Sequence, residues 1–139
     1  MFIRKKIITM VLCFLISGVA NIWAQEYVNV YSSRIEKLIK PAFDAFTDET
    51  GVLVRYLTAK EAELQSRMAA EGKYTKADVL ITVDAGNLWL AANKGLLQPI
   101  ESRILDANVP TSVKDPEGRW YGLTIRARTI VYSKERVNP

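Results

Sequence analysis

The sequence of 139 residues predicts an α/β domain whose sheet is mostly parallel and is flanked by helices. Between residues 27 and 95, β-rich and helix-periodic stretches alternate three times with short connections, as in βαβ units with right-handed crossovers. The third β-rich stretch, DVLITV at 78–83, is apolar at almost every position, which is typical of a strand inside a parallel sheet. Glycines at 51, 72 and 95 end the three helical stretches.

The first 24 residues have the layout of a secretory signal peptide. Basic residues at 4–6 precede an apolar run at 7–20, which is shorter than the roughly 20 residues that a membrane span needs. Cleavage near Ala24 would leave an exported mature domain, 25–139. Retention of the segment as an N-terminal anchor is the alternative.

The charge balance argues against nucleic acid as a partner. The whole chain has 19 basic and 15 acidic residues, and the leader holds three of the basic ones, so the mature domain has a net charge of about +1. Because no basic stripe remains, nucleic-acid binding loses its main support. The single cysteine, Cys13, lies in the leader, and the chain has no histidine. Disulfides and His-based catalysis or metal ligation are therefore excluded from the mature domain.

The first two strand and helix pairs have clear local signals. YVNVY at 27–31 alternates and is rich in β-formers, which predicts the first strand. Apolar residues at steps of three and four predict a helix over 34–50, divided by Pro41 into a short first turn and a longer helix. VLVRYL at 52–57 predicts the second strand, and 59–71 is rich in strong helix formers.

The rest of the chain is less regular. NLWLAAN at 87–93 predicts a short third helix after the third strand. Residues 96–110 predict a loop with one helical turn, and KDPEGRWYG at 114–122 carries the signals of tight turns. LTIRARTIVYS at 123–133 predicts a long final strand.

Three strand-to-helix loops form the predicted binding edge, because ligands of open parallel sheets bind beyond the carboxyl ends of the strands. These loops, at 31–34, 58–61 and 83–86, offer hydroxyls, helix-start amides, cations and carboxylates, a set that suits a small anion. Two arginines of the final strand would share one face and repel each other unless they meet carboxylates or an anion. The predicted ligand-binding residues are therefore Ser32, Ser33, Arg34, Thr58, Glu61, Arg126 and Arg128.

Some of these residues have structural alternatives. Ser33 can simply cap the first helix, Thr58 with Glu61 matches a capping box, and Asp84 is a natural N-cap of the third helix. The sequence contains no nucleophile–base pair, Gly-rich phosphate loop or paired catalytic carboxylates. It therefore favours a binding protein over an enzyme.

Three long motifs resemble, in order and spacing, the N-terminal half of periplasmic ferric-iron-binding proteins of ABC transporters. They are VYSSRIEKLIKPAFDAFTDETGVLVRYLTAKEAELQSRMAAEG, KADVLITVDAGNLWLAANKGLLQPI and DPEGRWYGLTIRARTIVYS. The resemblance covers essentially everything after the leader. It implies the first lobe of a type II periplasmic binding protein, in which two α/β lobes close on Fe³⁺ by hinge motion. The final strand would cross toward a second lobe, which lies beyond residue 139.

The resemblance also implies the chemistry of the site. The family holds Fe³⁺ with oxygen ligands, mainly tyrosine phenolates, together with a synergistic anion such as carbonate or phosphate. Its adjacent tyrosine ligands belong to the second lobe, so this chain is expected to bind ferric iron weakly or not at all. Many members have His or His-Tyr where this chain has Ile35 and Glu36, which leaves Glu36 as the carboxylate that this loop offers to a metal. The family's anion-contacting arginine corresponds to Arg126 or Arg128.

The implied partner is the permease of an ABC transporter in the inner membrane, and the complete protein is expected to be monomeric. The missing His-Tyr keeps open a carrier of another small ligand on the same fold: an oxyanion, a polyamine or thiamine. An enzyme on the same architecture is a third hypothesis, since fold alone does not fix function. The lack of a catalytic constellation disfavours it.

Overall fold

The structure, a computed structural model, describes residues 25–127 and 129–137. The predicted signal peptide and Arg128 lie outside the described residues. The predicted fold class is confirmed: a three-stranded parallel sheet is flanked by helices. In chain order the elements are β1 (Tyr27–Ser32), α1 (Glu36–Thr50), β2 (Leu53–Thr58), α2 (Glu61–Glu71), β3 (Val79–Ile81), α3 (Ala85–Asn93) and α4 (Arg103–Asn108).

The sheet has the order β2-β1-β3, with the first strand in the centre. The register of β1 and β2 runs from Tyr27 opposite Leu53 to Ser32 opposite Thr58, and β3 pairs with the last half of β1. Parallel neighbours need a crossover connection, and here α1 and α2 provide it. As a result, the carboxyl ends of all three strands lie along one edge of the sheet.

Helix α1 is continuous, so the predicted division at Pro41 is wrong. The proline is the sixth helical residue, and its missing N–H costs one bond to the carbonyl four residues earlier. Phe43 is buried on this helix and its ring lies 5.2 Å from that of Tyr56 on β2, which holds the helix against the sheet. Gly51 ends the helix as predicted, with a left-handed φ of 76° and its N–H donated to the carbonyl of Thr47.

The core lies between β1 and α2. Tyr31, Leu64 and Met68 are buried together there, and partly buried apolar residues of β2, β3 and the segment after α3 pack around them. The hydroxyl of Tyr31 donates to the carboxylate of Glu71 at 3.0 Å, so its polar end is satisfied. Hydrogen bonds from Arg67 first, and then from Thr75, hold the pKa of Glu71 below its usual range.

The final strand predicted over 123–133 is not formed by the described residues of that range. Leu123, Ile125, Ile130 and Val131 are between 76% and 93% exposed. A strand needs a neighbour for its hydrogen bonds, and within 25–127 and 129–137 no strand pairs with this segment. The alternation of apolar residues therefore predicted a strand here, but the described residues contain no neighbouring strand with which it could pair.

The predicted tight turn before this segment is built around Asp115, which is buried. Its carboxylate accepts hydrogen bonds from the backbone N–H of Arg119 at 3.1 Å and from its guanidinium Nε at 2.7 Å and Nη2 at 3.0 Å. The guanidinium holds the pKa of Asp115 below its usual range, while the carboxylate raises that of Arg119. The turn is thus held by a charged, bidentate pair.

None of the helices in the described part of the chain combines the length with the apolar character that crossing a membrane requires.

Replacement of the buried Leu64 tests the placement of the core. Leu64→Ala should lower the free energy of unfolding by about 2–5 kcal/mol, because it leaves a cavity under the sheet. Urea denaturation followed by circular dichroism measures this change. Leu38→Ala is the matched control, since Leu38 is 67% exposed on α1. Equal urea midpoints for the two variants would contradict this core.

Replacement of Asp115 tests the turn. Asp115→Asn should lower the free energy of unfolding at pH 7 by about 1–3 kcal/mol, because the donors of Arg119 lose their charged acceptor. The depressed pKa means that this stabilisation is present above the unfolded-state value of about 3.9 and is lost as pH falls through the lower folded-state value.

The difference in urea midpoint between wild type and Asp115→Asn should therefore shrink on acidification to about pH 2. Glu117→Gln is the control, because the side chain of Glu117 is 70% exposed and lies 3.5 Å from the same guanidinium. A difference that persists unchanged at low pH would show that the charge of Asp115 does not contribute.

Candidate functional site

The carboxyl ends of β1 and β2 open onto a shallow groove. Ser32 and Thr58 are register partners, and the N–H of Ala59 donates to the carbonyl of Ser32 at 3.3 Å, so the two loops leave the sheet side by side. The groove has a volume of about 390 Å³. It is lined by Ser33, Arg34, Ile35, Glu36, Thr58, Ala59, Lys60 and Glu63.

The two serines predicted for the site have different positions. Ser32 is fully buried, and its hydroxyl accepts the backbone N–H of Arg34 at 3.1 Å, so it shapes the loop from below. Ser33 lines the groove, and its backbone N–H is bound to the carbonyl of Ile81 on β3 at 2.9 Å. The structural alternative for Ser33 is wrong: Ile35 occupies the N-cap position of α1, with no side-chain cap.

The second loop also differs from the predicted capping box. Lys60 is the N-cap residue of α2, which begins at Glu61 without a side-chain cap, so Thr58 and Glu61 do not form the reciprocal pair. Thr58 lines the groove, whereas Glu61 is absent from its lining. Lys60 and Glu63 line it instead. Lys60 belongs to the predicted loop at 58–61, but neither residue was among the predicted ligand-binding residues. The start of α2 decides which side chains face the groove. The sequence predicted this start at residue 59, two residues before Glu61, where the helix begins.

The third predicted loop, at 83–86, provides the N-cap of α3. The carboxylate of Asp84 accepts the backbone N–H of Asn87 at 3.0 Å and its side-chain amide at 3.0 Å, which confirms the predicted N-cap of α3. Helix α4 is capped in the same way, by the hydroxyl of Ser102. Among the α-helices of the described residues, α3 and α4, whose first residues do not line the groove, are thus capped by side chains, whereas α1 and α2, which open onto it, are not.

Of the three arginines predicted for the site, Arg34 lies at the groove and Arg126 does not line it. Arg34 lines the groove, and its Nη2 donates to the hydroxyl of Thr124 at 3.2 Å. Arg126 is exposed, does not line the groove, and follows Thr124 by two residues. Arg128 lies outside the described residues, so its predicted role stays a prediction.

The groove carries charges of both signs. Arg34 and Lys60 are its cations, and Glu36 and Glu63 are its carboxylates. Glu36 accepts the phenol hydrogen of Tyr56 at 2.8 Å, and this bond, with a smaller contribution from burial, raises the pKa of Tyr56. Among residues 25–127 and 129–137, no three or more Asp, Glu, Cys or His side chains are grouped so that they could hold a metal ion.

Curated relatives match most of this chain but only about a third of their own length. The chain is 44% identical over 115 residues to iron uptake protein A1 of Synechocystis, covering 83% of this chain and 32% of the relative. It is 29% identical over 115 residues to an Fe(3+)-binding periplasmic protein of Serratia marcescens, which covers 83% of this chain and 34% of the relative. No family model matches the chain.

One further relative carries a different ligand in its name. A periplasmic protein of Salmonella typhimurium, whose name gives 2-aminoethylphosphonate as its proposed ligand, is 35% identical over 94 residues. The match covers 62% of this chain and 28% of that protein.

Solved structures agree with the curated relatives. Apo FutA2 from Synechocystis matches with a TM-score of 0.74 and 41% identity, over 83% of this chain and 35% of that one. The Trichodesmium protein IdiA (FutA), in complex with iron and citrate, matches with a TM-score of 0.66 and 41% identity, over 69% of this chain and 30% of that one. The fold is that of type II periplasmic binding proteins, of which this chain matches a part. The resemblance to ferric-iron-binding proteins of the periplasm is confirmed.

The bond between Tyr56 and Glu36 can be tested by titration. Glu36→Gln should lower the pKa of Tyr56 toward its ordinary value of about 10, because the carboxylate that disfavours the phenolate is gone. The ¹³Cζ chemical shift of Tyr56, followed by NMR against pH, measures it. Glu63→Gln removes another carboxylate of the groove and should leave the pKa of Tyr56 unchanged. Equal shifts in both variants would contradict the specific bond.

Proposed function

We propose that residues 25–139 supply one wall of the ligand cleft in a carrier that captures ferric iron in the periplasm for an ABC transporter. The similarity to iron uptake protein A1 supports this function, and the groove at the carboxyl ends of β1 and β2 supports its location. In this proposal the first 24 residues direct export and a membrane permease receives the iron. The relatives are named for iron uptake and binding, which supports a carrier and not an enzyme.

The observation that carries the proposal is the missing caps of α1 and α2. Both helices begin at the groove without a side-chain cap, while α3 and α4, whose first residues do not line the groove, have one. The first N–H groups of a helix need acceptors, and an anion at the helix start supplies them while meeting the positive end of the helix dipole. The start of α1 and that of α2 therefore offer amide donors to the same groove.

The cations of the groove complete an anion site in this proposal. Arg34 supplies a planar guanidinium that suits two oxygens of carbonate or phosphate, and Lys60 supplies a compact charge at the start of α2. The hydroxyl of Thr58 adds a donor, and that of Ser33 adds another when it turns from the carbonyl of Ile81, 3.5 Å away, toward the ligand. Ser32 acts from below by fixing the loop, and Arg126, from the segment after Thr124, adds a further cation at the rim.

Ferric iron itself needs more than this groove. Fe³⁺ is a hard cation that takes oxygen ligands, and Glu36 and Glu63 are the carboxylates that the groove offers. Glu36 already accepts a hydrogen bond from Tyr56. We therefore assign to this chain the anion that accompanies the metal, and we expect ferric iron alone to bind it weakly.

A second candidate ligand is favoured by the mixed charge of the groove. Two cations and two carboxylates within one groove suit a zwitterion such as an aminoalkyl phosphonate, and one relative is named for such a compound. In this case the phosphonate would meet Arg34 and Lys60, and the amine would meet Glu63.

An NMR titration of the full chain with sodium phosphate tests the proposal. The backbone amides of the two loops, 33–36 and 58–61, should shift together, and Arg34→Gln should weaken the affinity roughly threefold to tenfold, because one charge-assisted contact is lost. Arg103→Gln, which removes an exposed arginine at the start of α4, is the matched control and should leave the affinity unchanged.

Two further titrations, with ferric citrate and with 2-aminoethylphosphonate, compare the affinity of the chain for the candidate ligands. Ferric citrate is expected to shift the same amides as phosphate, and 2-aminoethylphosphonate is expected to bind no more tightly than phosphate. Tenfold tighter binding of 2-aminoethylphosphonate would favour the second candidate. Phosphate shifts that avoid both loops, or equal losses in Arg34→Gln and Arg103→Gln, would overturn the anion site.

A further inference from the structure

A single long-range hydrogen bond links the groove to the chain after Gly122. The guanidinium of Arg34, at the start of α1, donates from Nη2 to the hydroxyl of Thr124 at 3.2 Å. The two residues are 90 positions apart in the sequence. Within 25–127 and 129–137, this is the one hydrogen bond made by the side chain of Arg34. Arg34 is therefore oriented by a residue of a segment that is otherwise exposed.

The position of Thr124 is restrained by a backbone contact two residues earlier, at Gly122. The N–H of Gly122 donates to the carbonyl of Val113 at 2.8 Å, and a Cβ at Gly122 would lie 2.8 Å from the same oxygen, so a side chain cannot be accommodated here. After this anchor the chain leaves the packed structure, since Leu123 and Ile125 are 76% and 79% exposed. Thr124 thus lies two residues after the contact of Gly122 with Val113, and its hydroxyl accepts the hydrogen bond from Arg34 at the groove.

We propose that Thr124 is a positioning residue, which fixes the guanidinium of Arg34 over the groove for an oxyanion ligand. The inference rests on the anion-binding function proposed above. A guanidinium has five N–H groups, so one bond to a neutral hydroxyl leaves its charge and its other donors available to the ligand. Arginine side chains lose considerable rotamer entropy when they are immobilised. Thr124 reduces that loss by holding Arg34 before the ligand arrives.

The same bond keeps Arg126 near the site. Two extended residues span at most about 7 Å, so the backbone of Arg126 stays within that distance of Thr124. The bond from Arg34 to Thr124 thereby limits how far the backbone of Arg126 can lie from the groove, although Arg126 does not line it. Loss of the Thr124 hydroxyl should release the guanidinium of Arg34.

Three substitutions in the full chain test this role. Thr124→Val keeps the shape and removes the hydroxyl, Thr124→Ser keeps the hydroxyl, and Thr129→Val is the matched control at an exposed threonine of the same segment. Thr124→Val should raise the dissociation constant of inorganic phosphate roughly threefold to tenfold, as expected for the loss of one pre-organising bond at an exposed site. Thr124→Ser and Thr129→Val should bind phosphate like the wild type.

A second measurement on the ligand-free protein separates positioning from a general structural effect. In the wild type and Thr124→Ser, the guanidinium ¹H–¹⁵N signals of Arg34 should show restrained rotation, which Thr124→Val should lose while the amides of the sheet stay unchanged. Wild-type phosphate affinity in Thr124→Val would overturn the inference and leave the anion site standing. Absence of phosphate binding by the wild type would instead overturn the proposed function, and this inference with it.

Discussion

The parallel pairing of β1 with both of its neighbours is the constraint on which the groove depends. With Ser32 opposite Thr58 and Ile81, the chain must leave the sheet at one edge three times. The helices that return the chain to the other edge begin at that same place, so helix-start amides gather where the strands end. Burial of Tyr31 and Leu64 between β1 and α2 fixes this register, because a shift by one residue would turn the core side of β1 outward.

The fold was largely predictable because its signals are local. Alternation defined β1, helical periodicity defined α1 and α2, and a continuous apolar run defined β3. In the described residues, however, β3 covers only Val79–Ile81 and lies at the edge of the sheet, not inside it as its apolar run predicted. Two predictions were wrong for reasons that are not local. Pro41 remains inside α1 because packing of Phe43 outweighs one missing hydrogen bond. The stretch 123–133 has the pattern of a strand, but no strand of residues 25–127 and 129–137 pairs with it.

The sequence predicted where the groove lies but only some of the residues that line it. Ser33, Arg34 and Thr58 line the groove because each lies at or within two residues of the end of a strand, which the sequence locates well. Lys60 and Glu63 were not among the predicted ligand-binding residues, because the direction of their side chains depends on where α2 begins. Thr124 could not be found from any local pattern, since its contact with Arg34 spans 90 residues. Helix ends and long-range contacts are set by the packed structure and not by short-range periodicity.

The bare starts of α1 and α2 have a consequence for folding. A side-chain cap contributes about 0.5–2 kcal/mol to a helix, and these two helices forgo it. An anion in the groove would act as a shared cap that is supplied from solution, so part of its binding energy would become folding energy. If the groove binds an anion in this way, the domain is least stable without it, because anion binding and folding are thermodynamically linked. The anion-free domain would then be the form most open to unfolding and degradation.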